Sequence, residues 1–345
     1  MKLDSVSGVN HNTTLKNAQQ SPRIEKGNLT PPVALSFLSK QDTAWDKNRS
    51  YSEDVANIYT GTGQHTFDRL AQRIDDCSQF LTFNWQDNTE TGETALKLAN
   101  TQFCRVRHCP VCQWRRSLMW KARFYDALPA LQEKYPTHRF IFLTLTVKNV
   151  EIMGLRAQLQ EMNKAWRKLV QRKQFKASVA GFVRTTEVTR NRKTDAAHPH
   201  YHALLVVEPS YFGKKYINQK DWVAMWQSCL NVDYTPVVDV RAVKSKAGSD
   251  KEALASAVAE TLKYAVKPSD LVNNGPWLLE LTKQVHKLRF IASGGLLKDA
   301  LKEDEESNED LIKTGLEEEE AQAEEEPDQI VFNWFPSQRK YLKYK

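Results

Sequence analysis

The chain has 345 residues, 41% of them hydrophobic and 26% charged, which excludes a wholly disordered polypeptide and suits one large domain or two ordinary ones. No apolar run approaches the roughly 18 residues of a membrane-spanning helix, and the first 30 residues are polar without a secretion signal, so a soluble, cytoplasmic protein with no membrane partner is expected. The net charge of +7 hides a segregation: residues 303–328 hold 14 acids and one lysine, a net of −13, leaving +20 on the rest, which points to a polyanion such as nucleic acid.

Residues 1–43 are rich in Asn, Ser, Thr, Gln and Lys with little periodicity and read as a disordered N-terminal arm. Weak helical patterning runs from Ala44 to Arg73. Short strand-like runs follow, Phe80–Phe83 and Ala95–Leu98, divided by polar turns and leading into a cysteine cluster. Trp114 to Leu131 reads as a basic helix. Residues 44–135 thus look like a basic, metal-stapled region with little core of its own.

From Phe140 the pattern changes. FIFLTLTV (140–147) sets Leu143, Leu145 and Val147 on one face and Thr144 and Thr146 on the other, an alternating strand. Residues 152–173 place Leu155, Leu159, Met162, Trp166 and Leu169 at helical spacing, with Lys164, Arg167, Lys168, Arg172 and Lys173 on the other face. Strands are expected at Gly181–Thr189, 200–207 (HYHALLVV) and 236–243, and helices at Trp222–Leu230 and 250–266. The second of these helices opens on a capping box, Ser249 to Glu252, and stops before Pro268. This order makes residues 136–302 an α+β unit, a largely antiparallel central sheet flanked by helices. Residues 303–328 read as an acidic, solvated, mobile linker. In the aromatic and basic tail, 329–345, IVFNWFPSQRKYLKYK (330–345) either docks on the body or stacks on single-stranded bases, and docking is preferred.

Cys104, Cys109 and Cys112 form Cys-x4-Cys-Pro-Val-Cys, a spacing that favours metal over disulfide in a chain without a secretion signal. A structural zinc site needs four ligands. Spacing alone leaves Cys77 and His108 open as the fourth, although His108 lies inside the x4 loop, where the chelate would be tight. Cys229 reads as core. The basic helix, with Arg115 and Arg116, is expected to contact duplex DNA through phosphates.

His200 and His202 are two apart in a strand, so both imidazoles leave the same face of a rigid platform, a geometry suited to one divalent metal. His198 is a neighbour rather than a ligand, because Pro199 disturbs the alternation. Glu187 ends the preceding strand, and an antiparallel hairpin would bring its carboxylate beside the imidazoles. Two nitrogens and one oxygen suit Mn²⁺ or Mg²⁺ acting on a phosphate oxygen. On the last helix, Tyr264 lies at the edge of the apolar stripe with Glu260 one turn behind it. The first suits a covalent nucleophile and the second a base that activates water. Lys263 and Lys267 add charge that can hold phosphates, as in DNA binding, or ease ionisation of the phenol. Each of these residues alone is also what an ordinary packing or surface position shows.

From about Ala44 to Lys298 the chain resembles the rolling-circle plasmid replication initiators (Rep proteins) of the histidine–hydrophobic–histidine endonuclease superfamily. The shared motifs are FCRVRHCPVCQWRRS, FLTLTVKN, HPHYHALLVV, YINQKDWVAMW, DYTPVVDVRAV, ETLKYAVKPSD and FIASGG, in that order. The resemblance implies metal binding by His200 and His202 with Glu187 as third ligand. A position matching Cys77 (DCSQFLTF) implies that this cysteine completes a zinc site with Cys104, Cys109 and Cys112. It also implies that Tyr264 attacks a phosphodiester at a plasmid double-strand origin, leaving a 5′-phosphotyrosine and a free 3′-hydroxyl primer, with no nucleotide cofactor. Glu260 with a single Tyr264 is similar to the Glu/Tyr subgroup, in which the Glu directs water for release at termination. The partners implied are origin DNA, double- and single-stranded, a host helicase and replication machinery, and an oligomer on the origin.

Two other readings compete. A conjugative relaxase or tyrosine transposase of the same superfamily shares the chemistry, but relaxases usually carry the active Tyr ahead of the histidines. A non-enzymatic zinc-dependent DNA-binding regulator would need only the basic surface and the cysteines.

Overall fold

The computed structural model describes residues 32–87, 94–244, 250–263, 265–298, 306–314 and 328–343. The chain opens with strand β1 (Val33–Ala34) and helices α1 (Thr43–Thr60) and α2 (His65–Asp75). The hairpin β2 (Phe80–Asp87) and β3 (Thr94–Asn100) leads to the long helix α3 (Pro110–Lys134). Next come β4 (Arg139–Thr146), α4 (Leu155–Gln171), β5 (Val179–Arg190) and β6 (Ala197–Val207). They are followed by α5 (Gln219–Leu230), β7 (Val238–Ala242), α6 (Asp250–Thr261), α7 (Gly275–Gln284) and β8 (Ile291–Gly295). The short helix α8 (Asn308–Ile312) precedes β9 (Gln329–Phe335) and β10 (Lys340–Lys343).

The fold is α+β, with two antiparallel five-stranded sheets. One has the order β7-β4-β6-β5-β8 and is the central sheet that the alternating patterns imply. Directly paired residues of antiparallel strands share a face. The register sets Glu187 opposite His200, Thr185 opposite His202, and Thr144 opposite His202 on the other side, so these side chains rise together. The intervening residues point to the other face, where α4 and α5 cover them. Trp166 meets Phe182 and Tyr201 with ring centroids 5.1 and 6.0 Å apart, and Trp226 of α5 reaches Tyr201 at 6.1 Å. The Trp226 indole N–H donates to the Thr146 carbonyl, so this large buried ring leaves no donor unpaired.

Helix α6 packs on the histidine face, held where Thr185 Oγ1 donates to the Thr261 carbonyl. It ends at Thr261, short of the 250–266 expected. The cause is an unpaired strand. Beyond Thr185 the edge of β5 has no further partner in β8, so Thr186 N–H donates to Phe290 O and Val188 N–H to Ala265 O. Drawing the Ala265 carbonyl to β5 takes this stretch out of the helix. Ser249, the expected cap, lies outside the described residues.

The second sheet was not expected. Its order, β1-β10-β9-β2-β3, joins both ends of the chain around the cysteine region. Burial alternates along β9, with Ile330, Phe332 and Trp334 inward. The aromatic tail therefore docks, and it supplies the core that the cysteine region lacks by itself. Phe332 meets Phe83 at 6.0 Å, Trp334 meets Tyr341 at 5.0 Å, and the Tyr341 hydroxyl donates to the Ser78 carbonyl. Residues 33–38, within the stretch read as a disordered arm, form β1 and a short helical turn.

The expectation of a fully mobile acidic linker is corrected over residues 306–314. Here Ser307 and Asp310 make a capping box, Leu311 is fully buried, and Asn308 bridges Phe103 N–H and the Thr101 carbonyl. Among the described residues no helix is long and apolar enough to cross a membrane. Phe332→Ala is expected to lower unfolding free energy by about 3–5 kcal/mol, as for other buried aromatics. A denaturant titration followed by tryptophan fluorescence reads this, and a loss below about 1 kcal/mol would contradict the packing role of β9.

Candidate active site and metal centres

His200 Nε2 and His202 Nε2 each lie 3.0 Å from the same atom, Glu187 Oε2, and their rings stand 88° apart with centroids separated by 4.8 Å. All three side chains are buried, His200 being 8% exposed, His202 5% and Glu187 2%. Phe142 stacks on the His202 ring and Thr144 Oγ1 meets its Nδ1, which limits the ring's rotation. His200 Nδ1 lies 3.1 Å from the His198 carbonyl, which can only accept, so Nδ1 carries the ring proton. In the neutral ring Nε2 is then a lone pair facing a carboxylate oxygen. Two acceptors at 3.0 Å require a second ring proton or a cation nearby.

The surroundings keep the Glu187 carboxyl ionised. Burial alone would raise the Glu187 carboxyl, but the His200 and His202 rings and the Lys263 ammonium beside it outweigh this and hold the acid well below its ordinary range. Burial pulls His202 down toward the neutral form, against the Glu187 carboxylate. An ionised carboxylate with neutral imidazoles is the form that ligates metal. Glu187, His200 and His202 could therefore hold a metal ion, since their ligand atoms lie within 4.8 Å of one another. His198 stays outside this group, its Nδ1 lying 2.7 Å from Asn149 Oδ1.

Lys263 closes the group on one side. Its Nζ lies 2.7 Å from Glu187 Oε2 and 2.5 Å from Glu260 Oε1. Burial works against its charge, but the two carboxylates outweigh that and raise its pKa. Glu260 is half-exposed, and its Oε1 lies 3.7 Å from His202 Nε2. The structure thus brings together Glu187, His200, His202, Glu260 and Lys263. Lys267 is exposed beyond them, preceding a short helix that begins at Pro268. Tyr264 lies outside the described residues. Its chain neighbours Lys263 and Ala265 both line a cavity that adjoins the site through Lys263.

The four cysteines Cys77, Cys104, Cys109 and Cys112 converge, with Sγ separations of 3.7 Å (77–112), 3.6 Å (104–112) and 3.8 Å (77–109). Sulfurs at the corners of a tetrahedron with metal–sulfur bonds of about 2.3 Å are about 3.8 Å apart, so the spacing suits a four-coordinate ion. Ser78 and Arg105, each following a ligand-type cysteine, have positive φ of 49° and 55°. This turns the backbone so that Val106 N–H donates to Cys104 Sγ and Cys104 N–H to Cys77 Sγ. Such donors stabilise thiolate charge. His108 is not in the group. Its Nδ1 lies 3.0 Å from Thr282 Oγ1, and burial pushes its pKa down to about 3.

Comparison with known proteins decides the family. The family model described as Replication protein matches residues 95–342. The chain belongs to the Replication protein family. It is 37% identical to a Bacillus amyloliquefaciens protein called Protein rep over 328 residues, covering 88% of this chain and 94% of that one. A Protein rep of a Bacillus species is 38% identical over 73% of this chain and 86% of its own length. A third, from Streptococcus pneumoniae, is 34% identical over 78% of this chain and 82% of its own. No solved structure matches the chain.

In this replication protein the arginines of the basic helix, expected to contact duplex DNA, have partners within the chain. Arg115 is buried, donates to the Leu311 and Ile312 carbonyls, and lies over the Trp45 and Trp114 rings. Arg116 forms a two-pronged pair with the Glu306 carboxylate, at 2.5 and 2.9 Å. Arg123 pairs with Asp310. The docked segment holds this face because guanidinium groups withdrawn from water need acceptors, carboxylates for the partly buried Arg116 and Arg123 and carbonyls for the buried Arg115. Sequence reasoning also missed the Lys287–Phe290 segment, which lines the cavity beside Lys263. Its only signal is the alternation Lys-Leu-Arg-Phe after an apolar helix.

Proposed function

We propose that this chain is a plasmid replication initiator that nicks one strand of the double-strand origin. The convergence of Glu187, His200 and His202 on one face of three paired strands, with Glu260 and Lys263 beside them, carries the reading. A divalent ion bound there, Mn²⁺ or Mg²⁺, would polarise a phosphate oxygen as a Lewis acid. Tyr264 supplies the phenolic oxygen. It bonds to phosphorus as the bond to the 3′-oxygen breaks, and the phenol's proton is lost as the 3′-oxygen gains one. The products are a 5′-phosphotyrosine and a 3′-hydroxyl that primes synthesis. Lys263 contributes a fixed positive charge next to the reacting phosphate.

We assign Glu260 to the second half of the cycle. Its half-exposed carboxylate can take a proton from water that attacks the phosphotyrosine, which releases the strand at termination. We assign zinc to the four-cysteine group as a structural ion, and origin duplex binding to the region it staples. A host helicase would separate the strands, and several copies would assemble on the origin.

The deciding experiment incubates the chain with Mn²⁺ and a single-stranded oligonucleotide carrying its plasmid's origin. A covalent adduct mapping to Tyr264 is the expected result. An intact oligonucleotide would overturn the reading and leave a DNA-binding regulator. Glu260→Ala is expected to keep the first nick within about threefold of wild type but to lose release of the tyrosyl adduct by about 10²-fold or more. Gel analysis of adduct decay checks this, and decay at the wild-type rate would remove Glu260 from the mechanism.

A further inference from the structure

A cavity of about 510 Å³ opens beside Lys263, between α3 and the Lys287–Phe290 segment, with Thr185 and Thr186 of β5 among its walls. Seven lysines and arginines line it, against one acid among the described lining residues, Glu306. Its volume lies in the roughly 300–1,000 Å³ range of small-ligand pockets. Two guanidinium planes lie on aromatic rings in its wall, Arg107 over Phe290 at 4.8 Å and Arg123 over Trp120 at 5.2 Å. Such planes offer flat cationic surfaces to an unstacked base.

Two further observations point to a ligand. Gln113 also lines this cavity, is only 5% exposed, and neither its amide nitrogen nor its amide oxygen has a hydrogen-bond partner. Leaving both unpaired in a buried position is costly, and an amide offers one donor and one acceptor side by side, the pattern that pairs with a base edge. The Glu306 carboxylate meanwhile sits on Arg116 in the two-pronged geometry by which arginine also grips phosphate.

We propose that this cavity is a nucleotide-reading pocket. It accepts one unpaired base of the DNA strand next to the scissile phosphate, Gln113 hydrogen-bonds the base edge, and the adjoining phosphate replaces Glu306 on Arg116. The pocket shares Lys263 with the metal-capable group, so a strand seated in it continues into the reacting position. The assignment rests on the nicking reading for its geometry but makes a separate claim, that one base is selected by a side chain outside the catalytic group.

The test uses binding alone. Randomised single-stranded DNA 12-mers are selected on the full-length zinc-loaded chain in a buffer without Mn²⁺ or Mg²⁺ and without chelator, and the bound pools are sequenced. Wild type is expected to enrich one base at one position about tenfold. Gln113→Leu removes the unpaired amide at similar volume, so it should fold with an unchanged or higher Tm and lose the preference at that position only. Retention of the whole motif by Gln113→Leu, or no preference in wild type, would overturn the pocket. Glu306→Gln should bind the pool about threefold tighter or more at low salt, whereas Glu309→Gln, which removes the same charge at an exposed position, should not. Equal gains in both would overturn the exchange on Arg116. Failure of wild type to cleave DNA with Mn²⁺ would instead remove the nicking reading and leave these binding results standing.

Discussion

Replacing Cys109 by Ser is expected to unfold the sheet formed by β1, β2, β3, β9 and β10. Cys109 is fully buried, precedes α3 at its N-terminus, and places its sulfur 3.8 Å from that of Cys77. Bound zinc at such a site stabilises by about 10–16 kcal/mol, which matches or exceeds the about 5–15 kcal/mol that separates a folded domain from its unfolded chain. Loss of one thiolate leaves three ligands where a structural zinc site needs four. Burial already pushes Cys104 and Cys112 well up. The measurement is paired: metal content by mass spectrometry, expected to fall from one zinc per chain to none, and far-UV circular dichroism. Retained structure with no bound metal would show that the aromatic core of Phe83, Phe332 and Tyr341 suffices alone.

The second large effect is on chemistry. Tyr264→Phe should abolish adduct formation, a fall on the order of 10⁴–10⁶ in nicking rate, the scale on which a nucleophile's removal acts. His202→Ala should lower the rate by about 10³ or more, the several kcal/mol expected when the metal-binding group is broken. The two must differ in one respect. Tyr264→Phe should still bind Mn²⁺ and single-stranded DNA like wild type, while His202→Ala should lose Mn²⁺ affinity, read by electron paramagnetic resonance. Equal Mn²⁺ binding in both variants would mean that His202 only packs beneath Phe142.

The two sheets were unequally legible. The order of elements from Phe140 to Val207 follows local signals, since alternation along β4 and the spacing of Leu155, Leu159, Met162, Trp166 and Leu169 need no distant partner. The same locality exposed the metal-capable trio. His200 and His202 share a strand face by period alone, and a hairpin between β5 and β6 makes Glu187 their neighbour. The other sheet depends on pairing β1 with β10 and β2 with β9, contacts between segments far apart in sequence, and no periodic pattern announces those. The roles of Arg115 and Arg116 were hidden for the same reason. A basic helix face and an acidic stretch both read as solvent-exposed until the fold lays one on the other. The early end of α6 followed from the need of β5 for partners, which no helix signal in residues 250–266 records.

The tail's strands also impose an order in time. Cys112 is synthesised long before Tyr341, whose ring closes over Ser78 beside Cys77. At about 5–20 residues per second a ribosome takes on the order of ten to forty seconds to cover that interval. During it the cysteine cluster has its ligands but not its lid, and a nascent chain cut short before β9 would have the histidine platform without a finished companion sheet. An incomplete translation product thereby lacks the buried rings of Phe332, Trp334 and Tyr341 that complete this sheet.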